Sequence, residues 1–165
     1  MKNLLSIVML CFAMQANTQS KEVYQSIKKI TNKTQQLVSV KKGEKIDTAA
    51  FRKLFLPTAH FTVVGKEDGK QIYETMNLKD FVETLTDEYY SKGYFETSKG
   101  KIIEEYNGIA HVIQSFYGED SDGVKDYGVG SYQLIYSNDR WWIANMIWTM
   151  SNNDGKDIPK KYFKN

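Results

Sequence analysis

A carboxylate and an imidazole are predicted to face each other across a tight turn between two strands. Asn107 and Gly108 form the dipeptide most typical of a β-hairpin, because both residues tolerate positive φ. A two-residue turn there pairs Glu104 with His111. The carboxylate would favour the charged imidazole and fix its orientation, so the pair could transfer protons if it lay in a pocket. On an outer face it would be an exposed ion pair worth under about 1 kcal/mol, and this structural interpretation is favoured.

A second turn, at Asn138 and Asp139, predicts a sheet face with one polar pair among aromatic and apolar neighbours. A two-residue turn there pairs Tyr132 with Asn145 in the middle of that face. The flanking pairs are Tyr136–Trp141, Leu134–Ile143 and Gly130–Ile147. Such a face is typical of a ligand-binding wall. A buried phenol and amide can equally satisfy each other without a ligand, and that alternative stays open.

The opposite face of the same strands is also apolar. Its predicted pairs are Ile135–Trp142, Ser131–Met146 and Val129–Trp148. A sheet that is apolar on both faces is expected to pack one side on helices and the other on a second subunit. The sequence does not say which face lines a pocket, although aromatic residues are more often core and interface than ligand contacts. The candidate ligand-binding residues are therefore Glu104, His111, Tyr132, Asn145 and Trp148.

Several kinds of chemistry are not supported by the residues present. The chain has two histidines, His60 and His111, so a multi-histidine metal site is not expected. Phosphate-loop, serine-elbow and zinc motifs are absent from the sequence, and no cofactor, metal or catalytic residue is assigned. A formal net charge of +2 gives no reason to expect a nucleic-acid partner.

The first 18 residues are predicted to be a signal peptide. Lys2 precedes an apolar run at residues 4–14, and small or polar residues follow at 15–19. The run is shorter than the about 20 apolar residues that span a bilayer, so stable membrane insertion is not expected. We expect an exported protein, periplasmic or extracellular, with one domain over residues 19–165. The only cysteine, Cys11, lies in the leader, which would leave the mature domain without thiols.

Helices are expected first along this domain. Apolar residues at helical spacing predict a helix that Ser20 caps and that ends near Gly43. Asp47 is the predicted cap of a short helix ending before Pro57. Asn77, with Asp80 three residues later, predicts a third helix that closes at residues 92–93.

Strands follow, with turn signals between them. A small hairpin is predicted over residues 60–64 and 71–74, and long strands over 94–106, 109–117, 127–137 and 140–150. An irregularity is expected at residues 98–100. Gly128 and Gly130 lack side chains on one face, which predicts either sheet curvature or a local bulge. Helices followed by a long antiparallel meander indicate the α+β class.

Three segments in this order resemble the nuclear transport factor 2-like superfamily. They are residues 54–59 (LFLPTA), 106–112 (YNGIAHV) and 139–144 (DRWWIA). The resemblance covers essentially the whole predicted mature chain. It implies a cone-shaped α+β fold, in which a strongly curved antiparallel sheet of about six strands wraps around three N-terminal helices and an internal pocket. It also implies a homodimer through the outer face of the sheet.

The resemblance implies no single activity, since this fold is shared by enzymes, binding modules and transport adaptors. Enzymes of the superfamily place Tyr, Asp or His groups on the cavity wall, but this sequence has no motif that carries those roles over to particular positions. Three hypotheses follow. The first is an exported, non-catalytic protein that binds a small apolar or aromatic molecule. The second is an isomerase, dehydratase or cyclase using pocket Tyr or His groups, and the third is a structural domain with a filled cavity.

Overall fold

The computed structural model describes residues 26–164. The predicted signal peptide, its cleavage position and the Ser20 helix cap lie outside the described residues. Within residues 26–164, no helix is long and apolar enough to cross a membrane.

The first described helix, α1 (Ile27–Val38), begins at Ser26. Ser26 has an extended backbone, and its hydroxyl accepts a hydrogen bond from the amide of Lys29 at 3.3 Å. The prediction of one continuous helix capped by Ser20 is therefore wrong in its start. Buried side chains of α1 form one stripe, which comprises Ile27, Ile30, Thr31, Thr34 and Gln35.

The two other predicted caps are confirmed. Asp47 caps α2 (Thr48–Arg52) by accepting from the amide of Ala50 at 2.9 Å. Asn77 caps α3 (Leu78–Thr84) by accepting from the amides of Lys79 and Asp80.

The predicted third helix is shorter than expected, because it is interrupted after Thr84. The hydroxyl of Thr86 donates to the carbonyl of Glu83 at 2.7 Å, and Asp87 adopts an extended backbone that starts a new helix. The chain therefore forms α3 and a separate one-turn helix, α4 (Glu88–Ser91). Gly93, at φ 109°, ends this segment as predicted.

The described strands form one six-stranded sheet. Their bounds are β1 (Phe55–Glu67), β2 (Lys70–Asn77), β3 (Tyr94–Tyr106), β4 (Ile109–Asp120), β5 (Lys125–Ser137) and β6 (Arg140–Met150). The spatial order is β2-β1-β6-β5-β4-β3, with β1 and β6 parallel and all other neighbours antiparallel. The α+β class and the curved, open sheet agree with the sequence prediction.

Strand register was predicted well near the turns and poorly beyond one irregularity. Glu104 pairs with His111, and the break between Ser98 and Gly100 lies where it was expected. In β6, an extra residue shifts the register between Gln133 and Leu134. The pairs nearest the turn are therefore correct: Tyr136–Trp141, Ile135–Trp142 and Leu134–Ile143. The pairs beyond it are wrong, because Tyr132 pairs with Met146, Gly130 with Trp148, Ser131 with Ile147 and Val129 with Thr149.

The helices cover one side of the sheet, here called the concave face, and the other side is the convex face. The core on the concave face centres on four phenylalanines, Phe51, Phe55, Phe61 and Phe81. The rings of Phe61 and Phe81 stack with centroids 4.1 Å apart. This cluster fixes α2 and α3 against β1.

Position 128 requires glycine, because neighbouring atoms on the concave face approach its backbone closely. A Cβ at this position would lie 2.6 Å from the carbonyl oxygen of Thr149 and would also meet the ring of Phe116. At Gly130 the nearest heavy atom would be 3.6 Å away, which is an ordinary contact. Only the first of the two glycines therefore lets a neighbour approach closely.

The C-terminal tail docks on the convex face. A short 3-10 helix (Lys160–Phe163) lies against β3 and β4. The hydroxyl of Ser115 donates to the carbonyl of Tyr162 at 2.7 Å, and the amide of Lys101 donates to the carbonyl of Lys164 at 2.7 Å. The second bond satisfies a backbone donor on the free edge of β3.

Candidate functional site

Glu104 and His111 lie on the convex face. Both side chains are exposed, and the imidazole Nε2 lies 2.8 Å from the hydroxyl of Ser131. The partner of the imidazole is thus a neutral hydroxyl on β5. The pair does not lie in the interior, and both residues border an open groove of about 480 Å³ on this face.

Tyr132 and Asn145 lie on opposite faces of the sheet. The extra residue in β6 shifts the register, so that the side chain of Asn145 points to the face opposite the one predicted. Tyr132 is 2% exposed on the concave face, where its hydroxyl lies 3.4 Å from that of Thr34. Asn145 is on the convex face and donates to the side-chain oxygen of Gln133 at 3.0 Å. The predicted polar pair is therefore wrong, and His111, Tyr132 and Asn145 do not converge on one cavity.

A cavity of about 100 Å³ lies on the concave face, between the helices and the sheet. Trp148, which the register shift moves to this face, forms part of its wall and packs edge-on against Phe81 at 5.8 Å. The remaining apolar lining is Val38, Phe51, Phe116, Met146 and Met150. Of the five residues singled out in the sequence, Trp148 is the one that lines this cavity.

The cavity also has polar lining residues, Thr34, Tyr90, Tyr94 and Glu96. The hydroxyl of Tyr94 donates to a carboxyl oxygen of Glu96 at 3.0 Å. The two residues stand two apart on β3, so their side chains point to the same face of the sheet. The backbone amide of Glu96 donates to the hydroxyl of Ser39 at 2.9 Å, which fixes the start of β3 against the end of α1. The ring of Tyr90 meets that of Tyr94 edge-on at 5.5 Å.

Burial raises the pKa of each titratable side chain in this group. Part of Glu96 reaches the surface, but its carboxyl group is enclosed, and burial raises its pKa against the opposing effects of Tyr94 and Gln35. Burial, followed by the negative charge of Glu96, raises the pKa of Tyr94, of Tyr90 and of Tyr132. These phenols therefore remain hydrogen-bond donors at neutral pH.

Two glutamines on the concave side have unused hydrogen-bonding capacity. Gln114 is 1% exposed and lies between Val112 and Phe116 on β4, yet neither of its side-chain polar atoms has a partner among residues 26–164. The amide nitrogen of Gln35 is also unpartnered in that range, although it lies close enough to Glu96 to lower the carboxyl pKa. Buried polar groups are costly when unpaired, and of these two side chains Gln35 also lines a polar recess between α1 and β3.

Sequence reasoning missed Glu96, Tyr94 and Tyr90. One signal was available: Tyr94 and Glu96 stand two apart at the start of a predicted strand, so both must face the same side. A second was Thr34, a polar residue within the apolar stripe of α1. Within the described range, no three His, Cys, Asp or Glu side chains gather as a metal site.

Comparison with known proteins identifies the fold. No family model matches the sequence, and no curated protein matches it significantly. An NTF2-like protein with a cystatin-like fold from Novosphingobium aromaticivorans superposes with a TM-score of 0.62 at 9% identity, covering 86% of this chain and 89% of that one. A Nostoc punctiforme protein of unknown function with a cystatin-like fold gives 0.58 at 8%, covering 77% and 90%. An NTF2-like protein of unknown function from Shewanella baltica gives 0.55 at 14%, covering 82% and 97%.

The chain therefore has the NTF2-like fold, as its sequence resemblance predicted. At these identities the likeness concerns the fold alone.

Proposed function

We propose that the concave cavity binds a small aromatic or apolar molecule that carries one hydrogen-bonding oxygen, and that the protein is an exported binding protein. The observation that carries this proposal is the composition of the cavity wall. An aromatic and thioether lining is combined with the Tyr94–Glu96 pair in one partly open cavity. Ligand sites typically combine a mainly apolar wall with a few polar groups that orient the ligand.

The size of the cavity limits the ligand to about one ring. An enclosed space of about 150 Å³ is enough for benzene, and this cavity measures about 100 Å³. Met146 and Met150 line it, and their unbranched side chains can rotate to enlarge it. A phenol-sized molecule is therefore the natural probe.

The polar groups indicate what the ligand presents. Tyr90 and Tyr94 keep their protons at neutral pH, because burial raises the pKa of both phenols. The hydroxyl of Tyr90 can donate to a carbonyl or hydroxyl oxygen of a ligand, whereas that of Tyr94 already donates to Glu96. A ligand without such an oxygen would leave Tyr90 without that partner, so phenol should bind more tightly than toluene.

Thermal unfolding in the presence of phenol or toluene tests the proposal. A ligand at about ten times its Kd stabilises the folded state by about 1.4 kcal/mol, which corresponds to a rise in Tm of about 3–6 °C. We expect this rise with phenol in the wild type and in Glu104→Gln, which removes a convex-face carboxyl. We expect a smaller rise in Glu96→Gln and none in Val38→Phe, which fills the cavity. Equal rises in all four proteins, or none in the wild type, would refute a cavity site.

The enclosed Tyr94–Glu96 pair favours one alternative, an acid–base enzyme of the isomerase, dehydratase or cyclase type. Such an enzyme should catalyse exchange of the α-hydrogens of a bound ketone. Incubation of cyclohexanone in D₂O with the wild type and with Glu96→Gln, followed by NMR, separates the two functions. Exchange that depends on Glu96 would favour the enzyme, and binding without exchange supports a binding protein.

Export and dimerisation are further parts of the proposal. Export is supported by Lys2 and the apolar run at residues 4–14. Dimerisation through the convex face is supported by Ile109 and Ile147, which are 61% and 47% exposed there.

A further inference from the structure

A polar cleft of about 390 Å³ lies between α1 and β3, and Glu96 belongs both to its wall and to that of the apolar cavity. Helix α1 and strand β3 contribute mainly cationic, amide and hydroxyl groups to it. The residues that matter here are Lys28, Asn32 and Gln36 from α1, and Ser98 and Lys101 from β3. Two ammonium groups and the carboxyl group of Glu96 thus border a recess otherwise lined by neutral donors and acceptors.

Lys101 is held in this cleft without a counter-ion. Its Nζ donates to the hydroxyl of Thr31 and to the side-chain oxygen of Asn32, both at 2.6 Å, and both acceptors are neutral. In the described part of the chain, Lys101 forms no ion pair. Burial, and then the positive charge of Lys28, lowers the pKa of Lys101 to about 8. The side chain is therefore charged at neutral pH, next to a like charge and largely removed from water.

Glu96 does not act as that counter-ion. Its carboxyl group accepts the hydrogen bond from Tyr94, and no ion pair joins it to Lys101 among the described residues. The charged neighbour that shifts the pKa of Lys101 is Lys28. The cleft consequently has two ammonium groups, neither of which forms an ion pair with a described residue.

We infer that this cleft is an anion-binding site, which takes the carboxylate or phosphate group of a small molecule. An oxyanion here would accept hydrogen bonds from the ammonium groups of Lys101 and Lys28, and charge-assisted bonds of this kind are the strong ones. The amides of Asn32 and Gln36 and the hydroxyl of Ser98 supply neutral donors at the same recess. The anion would also relieve the repulsion between the two lysines.

Calorimetric titration with sodium benzoate and with sodium phosphate, at constant ionic strength and pH 7, tests the site. We expect at least one of the two anions to bind, and its affinity to fall tenfold or more in Lys101→Gln and in Lys28→Gln. Lys125→Gln, which removes an exposed lysine on β5, should bind like the wild type. Binding of benzoate alone or of phosphate alone identifies the group that the cleft takes. Equal affinities in all four proteins, or no binding of either anion at tens of millimolar, would overturn the inference.

The pH dependence gives a second readout. Raising the pH from 7 to 9 removes the proton from Lys101, so the affinity should fall by about tenfold. The titratable groups that face Lys101 are Lys28 on α1 and Glu96 on β3, and the same series in Lys101→Gln isolates the contribution of Lys101. An affinity that does not change from pH 7 to 9 would remove Lys101 from the site.

This inference can fail separately from the proposed function. Phenol should still stabilise Lys101→Gln, because the apolar cavity does not include Lys101, and that result also shows that the variant is folded. If phenol binds and neither anion does, the cleft assignment alone is wrong.

Discussion

Replacing Lys101 with methionine should make the protein more stable at neutral pH, although the change removes two hydrogen bonds. Methionine keeps the apolar stem of the lysine and removes only the charged end. The cost at the two acceptors is small, because the hydroxyl of Thr31 keeps the hydrogen bond that it donates to the carbonyl of Ile27 at 2.9 Å, and Asn32 is half-exposed to water. The main effect of the substitution is stabilising, because the folded protein no longer holds a charged group partly out of water.

The magnitude follows from the pKa of Lys101. A value of about 8 in the folded protein, against 10.5 for an ordinary lysine, corresponds to at most about 3.4 kcal/mol at about 1.36 kcal/mol per pKa unit. The side chain keeps some contact with solvent, which screens the charge. We therefore expect the variant to gain about half of this upper limit in free energy of unfolding. Between pH 8 and 10.5 the unfolded chain binds more protons at this lysine than the folded one, so the wild type gains stability as the pH rises.

Urea unfolding at pH 7 and pH 10, followed by tryptophan fluorescence, measures this difference. The stability advantage of Lys101→Met should shrink by about 1–2 kcal/mol between the two pH values. Tyrosines titrate in both proteins and cancel in the comparison, and Lys125→Met controls for the loss of one positive charge. An advantage that stays constant or grows with pH would refute the assignment of Lys101 as a desolvated ammonium.

Two further predictions concern packing and assembly. Gly128→Ala should destabilise the protein by about 1–3 kcal/mol, because its Cβ would overlap the Thr149 carbonyl and the Phe116 ring. Gly130→Ala should change the free energy of unfolding by less than about 1 kcal/mol. Equal losses of stability in urea titrations of the two variants would contradict this difference. The wild type should be a dimer by light scattering. Ile109→Lys should shift the protein towards monomer, because a charge would replace an exposed apolar side chain of the proposed interface. A monomeric wild type would exclude the dimer.

The turns and caps of this fold could be predicted because each depends on a few neighbouring residues. Asn107-Gly108 and Asn138-Asp139 adopt positive φ at all four positions, and the hydrogen bonds of Asp47 confirm a cap visible in the sequence. These local signals place the strands in order and fix the register close to each turn. They also place Glu104 opposite His111.

The site could not be predicted in the same way, because it depends on contacts between distant segments. One extra residue in β6 moves Trp148 to the concave face and separates Tyr132 from Asn145. No turn signal marks that residue. The cavity joins Thr34 and Val38 on α1 to Glu96 on β3, and only the packing of helix on sheet brings them together.

Phenol titration followed through ¹³C-labelled methionine methyl groups tests the cavity most directly. Met146 and Met150 line the cavity, whereas Met76 on β2 does not and serves as an internal reference. A binding site within the concave wall predicts saturable shifts of the Met146 and Met150 methyl signals, with the Met76 signal unmoved. Equal, non-saturating shifts of all three signals, or no change in any of them, would contradict it.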